Sequence, residues 1–167
     1  MKEVFEQYAA YNLWANERIL NMALSLTAEQ QQLHVDSSFN SLQKTLLHIW
    51  DGESMWWQRI KLQENIIVPS IAFKASMNDI ASGLVSQSRD WKEWAINAKE
   101  HLLLHEFKYY NTKRHPFKNP IWQTLLNMFN HSTYHRGQAI TILHILKAEK
   151  IPNTDFIVFE RQYNNKK

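Results

Sequence analysis

The chain has 167 residues, 44% of them hydrophobic, which is enough for one domain spanning 1–167 to bury a core without staples. It contains no cysteine, which excludes disulfides, thiolate metal ligands and a thiol nucleophile of its own, so any sulfur chemistry must use a thiol brought by a substrate. The net charge of +3 comes from scattered Lys and Arg, clustered only at Lys113–Arg114 and Lys166–Lys167, and without a basic stripe nucleic acid is not an expected partner. Lys2, Glu3 and Glu6 stand where a signal peptide needs an apolar run, and no stretch approaches the roughly 18 apolar residues of a membrane span. The expectation is a cytoplasmic protein with no membrane partner.

Three Gly and four Pro leave room for long helices and few turns. From 2 to about 24, Phe5, Tyr8, Ala9, Leu13, Leu20 and Leu24 recur at helical spacing, which predicts an amphipathic helix. Thr27 with Gln30 has the form of a capping box for one short turn, and the polar stretch through Asp36, Ser37 and Ser38 reads as a loop. A second long helix, about 41 to 62, mixes Leu42, Leu46, Ile49 and Ile60 with His48, Asp51, Glu53 and the pair Trp56–Trp57. After a loop containing Pro69, Ser76 caps a third helix running to about residue 100. Residues 104 to 118 form a short hairpin or an extended connection around Asn111, Thr112 and Lys113. Asn119 as N-cap and Pro120 at the first helical position open a last helix reaching about Lys147. The tail, with Phe156, Ile157, Val158 and Phe159, is apolar enough to pack back on the helices. The fold class that follows is all-α, a four-helix bundle.

In the last helix His131 and His135 are one turn apart, an advance of about 400°, so both imidazoles leave one face. Ile121, Met128, Ala139, Ile142 and Leu146 share that face, which turns the pair inward, while His144 points outward. Two neutral imidazoles in a core suit a divalent ion, although such a pair taken alone is more often ordinary core histidine. Ser132 stands where a zincin helix needs its Glu, so the pair is not the zincin motif and that protease chemistry is not expected. A third ligand must come from another helix, and His48 is the best-placed candidate, with Gly52 one turn on leaving space beside it. Periodicity alone does not choose it. Glu53 falls on the apolar side of its helix, where a carboxylate needs a partner, and is the candidate catalytic base; it reads equally as a surface residue on a ragged helix. His101 and His105 repeat the spacing but straddle an expected helix end, and His34 and His115 fall in loops. Most of the seven Trp sit at core spacing, with Trp56 or Trp57 expected to line a cleft near the histidines.

In order and separation, YNLWANERIL, HIWDGE, NHSTYHRGQ and PNTDFIVF resemble the successive signatures of the DinB/YfiT-like superfamily of inferred metalloenzymes over nearly the whole chain. The resemblance implies a four-helix bundle with a long crossover, often a homodimer. It makes His48, His131 and His135 the metal ligands, with supporting roles for Asn130, Tyr134, Arg136 and Gln138. Some members are transferases or isomerases that use bacillithiol or mycothiol, so it also implies a metal-activated low-molecular-weight thiol attacking an electrophile on a small-molecule substrate. Hydrolysis by metal-bound hydroxide with Glu53 as base, and a non-catalytic metal- or ligand-binding bundle, are the alternatives. Three imidazoles suit Zn or Ni first, with Fe or Mn after them. Where the family often has Gly, in the hairpin and before the tail, this chain has Asn111 to Arg114 and Ala148 to Lys150.

Overall fold

The apolar stripe that begins at Phe5 is realised in α1 (Lys2–Leu24), which buries Phe5, Ala9, Leu13, Ile19 and Leu20 in a computed structural model describing residues 1–111 and 113–164. Thr112, inside the predicted break, and the terminal Lys166–Lys167 pair lie outside the described residues. The reciprocal Thr27–Gln30 capping box starts the single turn α2 (Ala28–Gln32). Ser41 is extended and its hydroxyl accepts the Lys44 N–H, which opens α3 (Leu42–Ile60). The chain continues through α4 (Pro69–Ala72), α5 (Met77–Asn97) with a Ser76–Asp79 capping box, α6 (Glu100–Leu104), β1 (Glu106–Tyr110), β2 (Pro116–Pro120), α7 (Ile121–Ile145) and α8 (Phe156–Asn164).

The four long helices make the bundle. α1 and α3 each pack against both α5 and α7, so α1 and α3 face one another across a diagonal. Asn16 meets Ser88 and Met1 meets Glu100, which runs α1 antiparallel to α5. Glu53 meets Ser88 and Trp57 meets Trp91, which runs α3 parallel to α5. Parallel neighbours joined in sequence require a connection that returns the length of the bundle. Residues 61–76 make that return, anchored step by step down α3: Gln58 pairs with the Ile67 backbone at 2.8 Å, Asp51 accepts the Ser70 N–H at 2.8 Å, and Phe73 stacks on Trp50. Gln43 donates to the Ala75 carbonyl at 2.9 Å to complete the series. This is the long crossover that the resemblance implied.

The region before α7 differs from expectation in two places. The third long helix stops at Asn97, because Ala98 is extended and buried, and the turn carries Leu103 of α6 into the apolar cluster of Phe5, Trp91 and Phe129. Asn119 does not cap α7. It pairs with Phe107 in the antiparallel β1–β2 hairpin, its Oδ1 accepts the Tyr109 hydroxyl at 2.9 Å, and its Nδ2 donates to Gln123; Pro120 takes the cap position. The tail does pack back: Tyr11 donates its hydroxyl to the Thr154 carbonyl at 2.9 Å, and Phe159 is buried against Tyr11 and Trp14. Among the described residues no helix is long and apolar enough to cross a membrane.

Candidate metal centre

The antiparallel contact of α3 with α7 brings His48 to His131 and His135, and one ligand atom from each of the three lies within 4.8 Å of the others. His48 Nε2 and His131 Nε2 are 3.0 Å apart, and the His131 and His135 rings meet edge to face with centroids at 4.4 Å. Gly52 makes the approach possible, since a Cβ there would stand 2.6 Å from His131 Cε1 and 2.7 Å from its Nδ1. Burial, reinforced by His135 and His48, holds the His131 imidazole down to about 4. Burial also lowers His48, with His135 adding to the effect and Asp51 opposing it. His131 Nδ1 is buried and has no hydrogen-bond partner among the described residues. Three converging imidazoles, two of them held neutral by burial, are a donor set that fits a divalent transition metal, so the group can hold a metal ion.

The surroundings orient this set. Gln138 Oε1 lies 2.8 Å from His135 Nδ1, and because an amide oxygen only accepts, Nδ1 carries the proton and Nε2 is free. Gln138 Nε2 donates in turn to Ser38 Oγ at 3.1 Å, tying the ligand to the loop before α3. From that loop Phe39 stacks on His48 at 4.0 Å and meets His135 edge-on at 5.4 Å, while Tyr134, 64% exposed, stands edge-on to His135. The rings at the histidines are therefore Phe39 and Tyr134. Trp56 packs on Tyr109 and Trp57 on Trp91, both against the apolar cluster that includes Phe5 and Leu125. Phe39 was missed; its only signal was a large apolar side chain alone in a polar loop next to the Ser41 cap.

Glu53, 0% exposed, is directed between α1, α5 and α7. Its Oε1 accepts from Asn12 Nδ2 at 2.8 Å, Asn16 Nδ2 at 2.9 Å and Ser132 Oγ at 3.1 Å, and its Oε2 accepts from Ser88 Oγ at 2.7 Å. These partners are amides and hydroxyls, none of them an imidazole. Burial pushes its carboxyl up, against the hydrogen bonds of Asn12 and Ser88, the charge of Arg136 and the hydrogen bond of Asn16. The Arg136 guanidinium, also buried, donates to Asn12 Oδ1 at 2.5 Å, Asn16 Oδ1 at 2.9 Å and Thr133 Oγ1 at 2.8 Å. Asn12 and Asn16 thus bridge a buried anion to a buried cation. Their signal in the sequence was two asparagines one turn apart on the apolar stripe of α1. Asn130 accepts the Tyr8 hydroxyl at 3.2 Å.

The remaining histidines stay apart from the centre. His105 follows α6 in extended backbone, so His101 and His105 do not share a helix face, and His34, His115 and His144 are exposed. No curated protein matches the chain. The family model of the DinB family matches residues 1–165, and the chain belongs to the DinB family.

Proposed function

We propose that His48, His131 and His135 hold one divalent transition metal, Zn or Ni first, and that the chain is a transferase activating a low-molecular-weight thiol for attack on an electrophile. The observation that carries the metal is the convergence of three ligand atoms within 4.8 Å on two packed helices. A divalent ion held by three imidazoles keeps open positions and lowers the pKa of a thiol or water that it binds. Gln138 fixes the proton of His135 on Nδ1, and Phe39 covers one face of His48, limiting water there. The family resemblance supports the thiol, and a chain without cysteine fits a thiol that arrives as cosubstrate. The hydrolytic alternative needs a base, and Glu53, sealed in the bundle and already accepting from four side chains, is badly placed to serve.

Elemental analysis of the purified, untagged protein tests the reading. About one Zn, Ni or Fe per chain is expected, lost in both His48→Ala and His131→Ala; no metal after reconstitution overturns it. With metal established, thiol consumption against a model electrophile separates transfer from hydrolysis, which would consume an ester and leave the thiol untouched.

A further inference from the structure

The hairpin and the crossover face one another across the end of α3 and enclose a groove of about 800 Å³. Arg59 forms one wall. Its guanidinium lies 4.7 Å from the centre of the Trp56 ring and 5.7 Å from that of Tyr109, so two aromatic rings fix its direction. Its Nε is buried without a hydrogen-bond partner, and among the described residues no carboxylate pairs with it. Burial also works against its charge. A half-desolvated guanidinium with unspent donors is costly unless something accepts from it, and its rigid fork matches a carboxylate in two parallel hydrogen bonds.

A second cation lines the same groove. It is Arg114 at the hairpin tip, in left-handed backbone with φ 60°, a conformation that few non-glycine residues adopt. The tip is held there by Asn111, whose carbonyl accepts the Arg114 N–H and whose Oδ1 accepts the N–H groups of Lys113 and His115 at 2.9 Å. Asn65 and Tyr110 bring neutral donors, and Lys108 lines an adjoining recess that shares Arg59. Against these three cations stands one carboxylate, Glu64. Met55, which with Ile66 and Val68 gives the groove its apolar lining, stands three residues beyond Gly52, roughly 4.5 Å along the helix axis from the slot that admits His131.

We propose that this groove binds the carboxylate end of a small organic anion, gripped by Arg59 and Arg114, with the rest of the molecule lying past Met55 towards the histidines. The anion site stands on the groove alone; the direction of the bound molecule rests on the function proposed above.

Titration of the metal-free, isotope-labelled full chain with succinate, followed by the magnetic resonance signal of the Trp56 indole N–H, tests the site. Saturable shifts are expected, absent with the neutral isostere succinamide. Affinity should fall about tenfold or more in Arg59→Gln and in Arg114→Gln, as for a lost hydrogen bond to a charged group. Arg59→Lys, which keeps the charge and loses the fork, should also weaken binding. Arg114 is exposed, so its variant leaves the core intact and keeps the test decisive if an Arg59 variant fails to fold. His48→Ala should bind succinate as the wild type does, whatever becomes of the metal. Binding that survives both arginine substitutions overturns the proposal, as does binding lost in His48→Ala alone. Saturation by a single-stranded oligonucleotide with no response to succinate also overturns it, assigning the groove to a polyanion.

Discussion

At position 52 a hydrogen atom in place of a methyl decides whether His131 can stand beside His48. The Gly52→Ala methyl would meet His131 Cε1 at 2.6 Å, and the ring has to swing away from the other two imidazoles. Metal affinity should therefore fall, by about ten- to hundredfold as for other losses of ligand orientation. In the metal-free protein the ~1 kcal/mol that Ala gains over Gly in a helix interior is opposed by the cost of displacing the His131 ring, about 1–3 kcal/mol for overpacking, so stability should not rise. Indicator-competition titration and urea unfolding measure the two effects, and unchanged affinity would show that His131 is not a ligand. The low proton affinity of His131 has its own consequence. Unfolded, an imidazole titrates near 6.5; in the fold it titrates at about 4. Between those values the unfolded chain binds more protons, so this residue's contribution is fully present above pH 6.5 and is lost as pH falls towards 4. Glu53 acts with the opposite sign, since its raised carboxyl favours the fold at low pH and loses that contribution as pH rises. The comparison that isolates His131 is wild type against His131→Gln, metal-free, at pH 7 and pH 5. The wild type should lose more stability between the two, and equal losses would contradict the assignment.

At the scale of elements, the Glu53 network fixes how α7 lies against α1 and α3. Ser132 follows His131 and Arg136 follows His135, so the residues that engage Glu53 and its asparagines alternate with the ligands, about 100° around the helix. A rotation of α7 that spoils the network also spoils the histidine set. Glu53→Ala removes the anion and leaves Arg136 buried without its counter-charge, a change that costs about 3–5 kcal/mol where buried charges are uncoupled. Urea unfolding of the metal-free protein should show that loss, and metal binding should weaken with it. Stability within ~1 kcal/mol of wild type would mean that the network is incidental. Glu53 was legible only as a carboxylate on the apolar side of its helix, a phase that fits a surface residue on a ragged helix equally well. Its partners were not, since Asn12, Asn16 and Ser88 lie on other helices and only packing brings them together. The same limit explains Asn119, a good cap by local chemistry whose side chain the hairpin takes, and the tryptophans, whose spacing says core without saying which end of it.

At the scale of the whole molecule, the ligands join parts of the chain that are distant in sequence, with 83 residues separating His48 from His131. His131 and His135 were legible as a pair from their spacing, whereas the third member depended on resemblance, because a helical wheel carries no information about which helix faces which. An ion that needs all three can bind only the folded arrangement of α3 against α7, so binding must stabilise the fold. At free metal one hundred times Kd the gain is about 2.7 kcal/mol. His135→Ala should remove that gain while leaving a cooperative unfolding transition, because the Glu53 network and the apolar core that hold α7 do not include this side chain. The measurement is urea unfolding of wild type and His135→Ala with chelator and with excess Zn. A Zn-dependent shift in wild type alone is the expected result. An equal shift in both proteins would place the stabilising ion elsewhere, and no shift in either would leave the three histidines as packing groups.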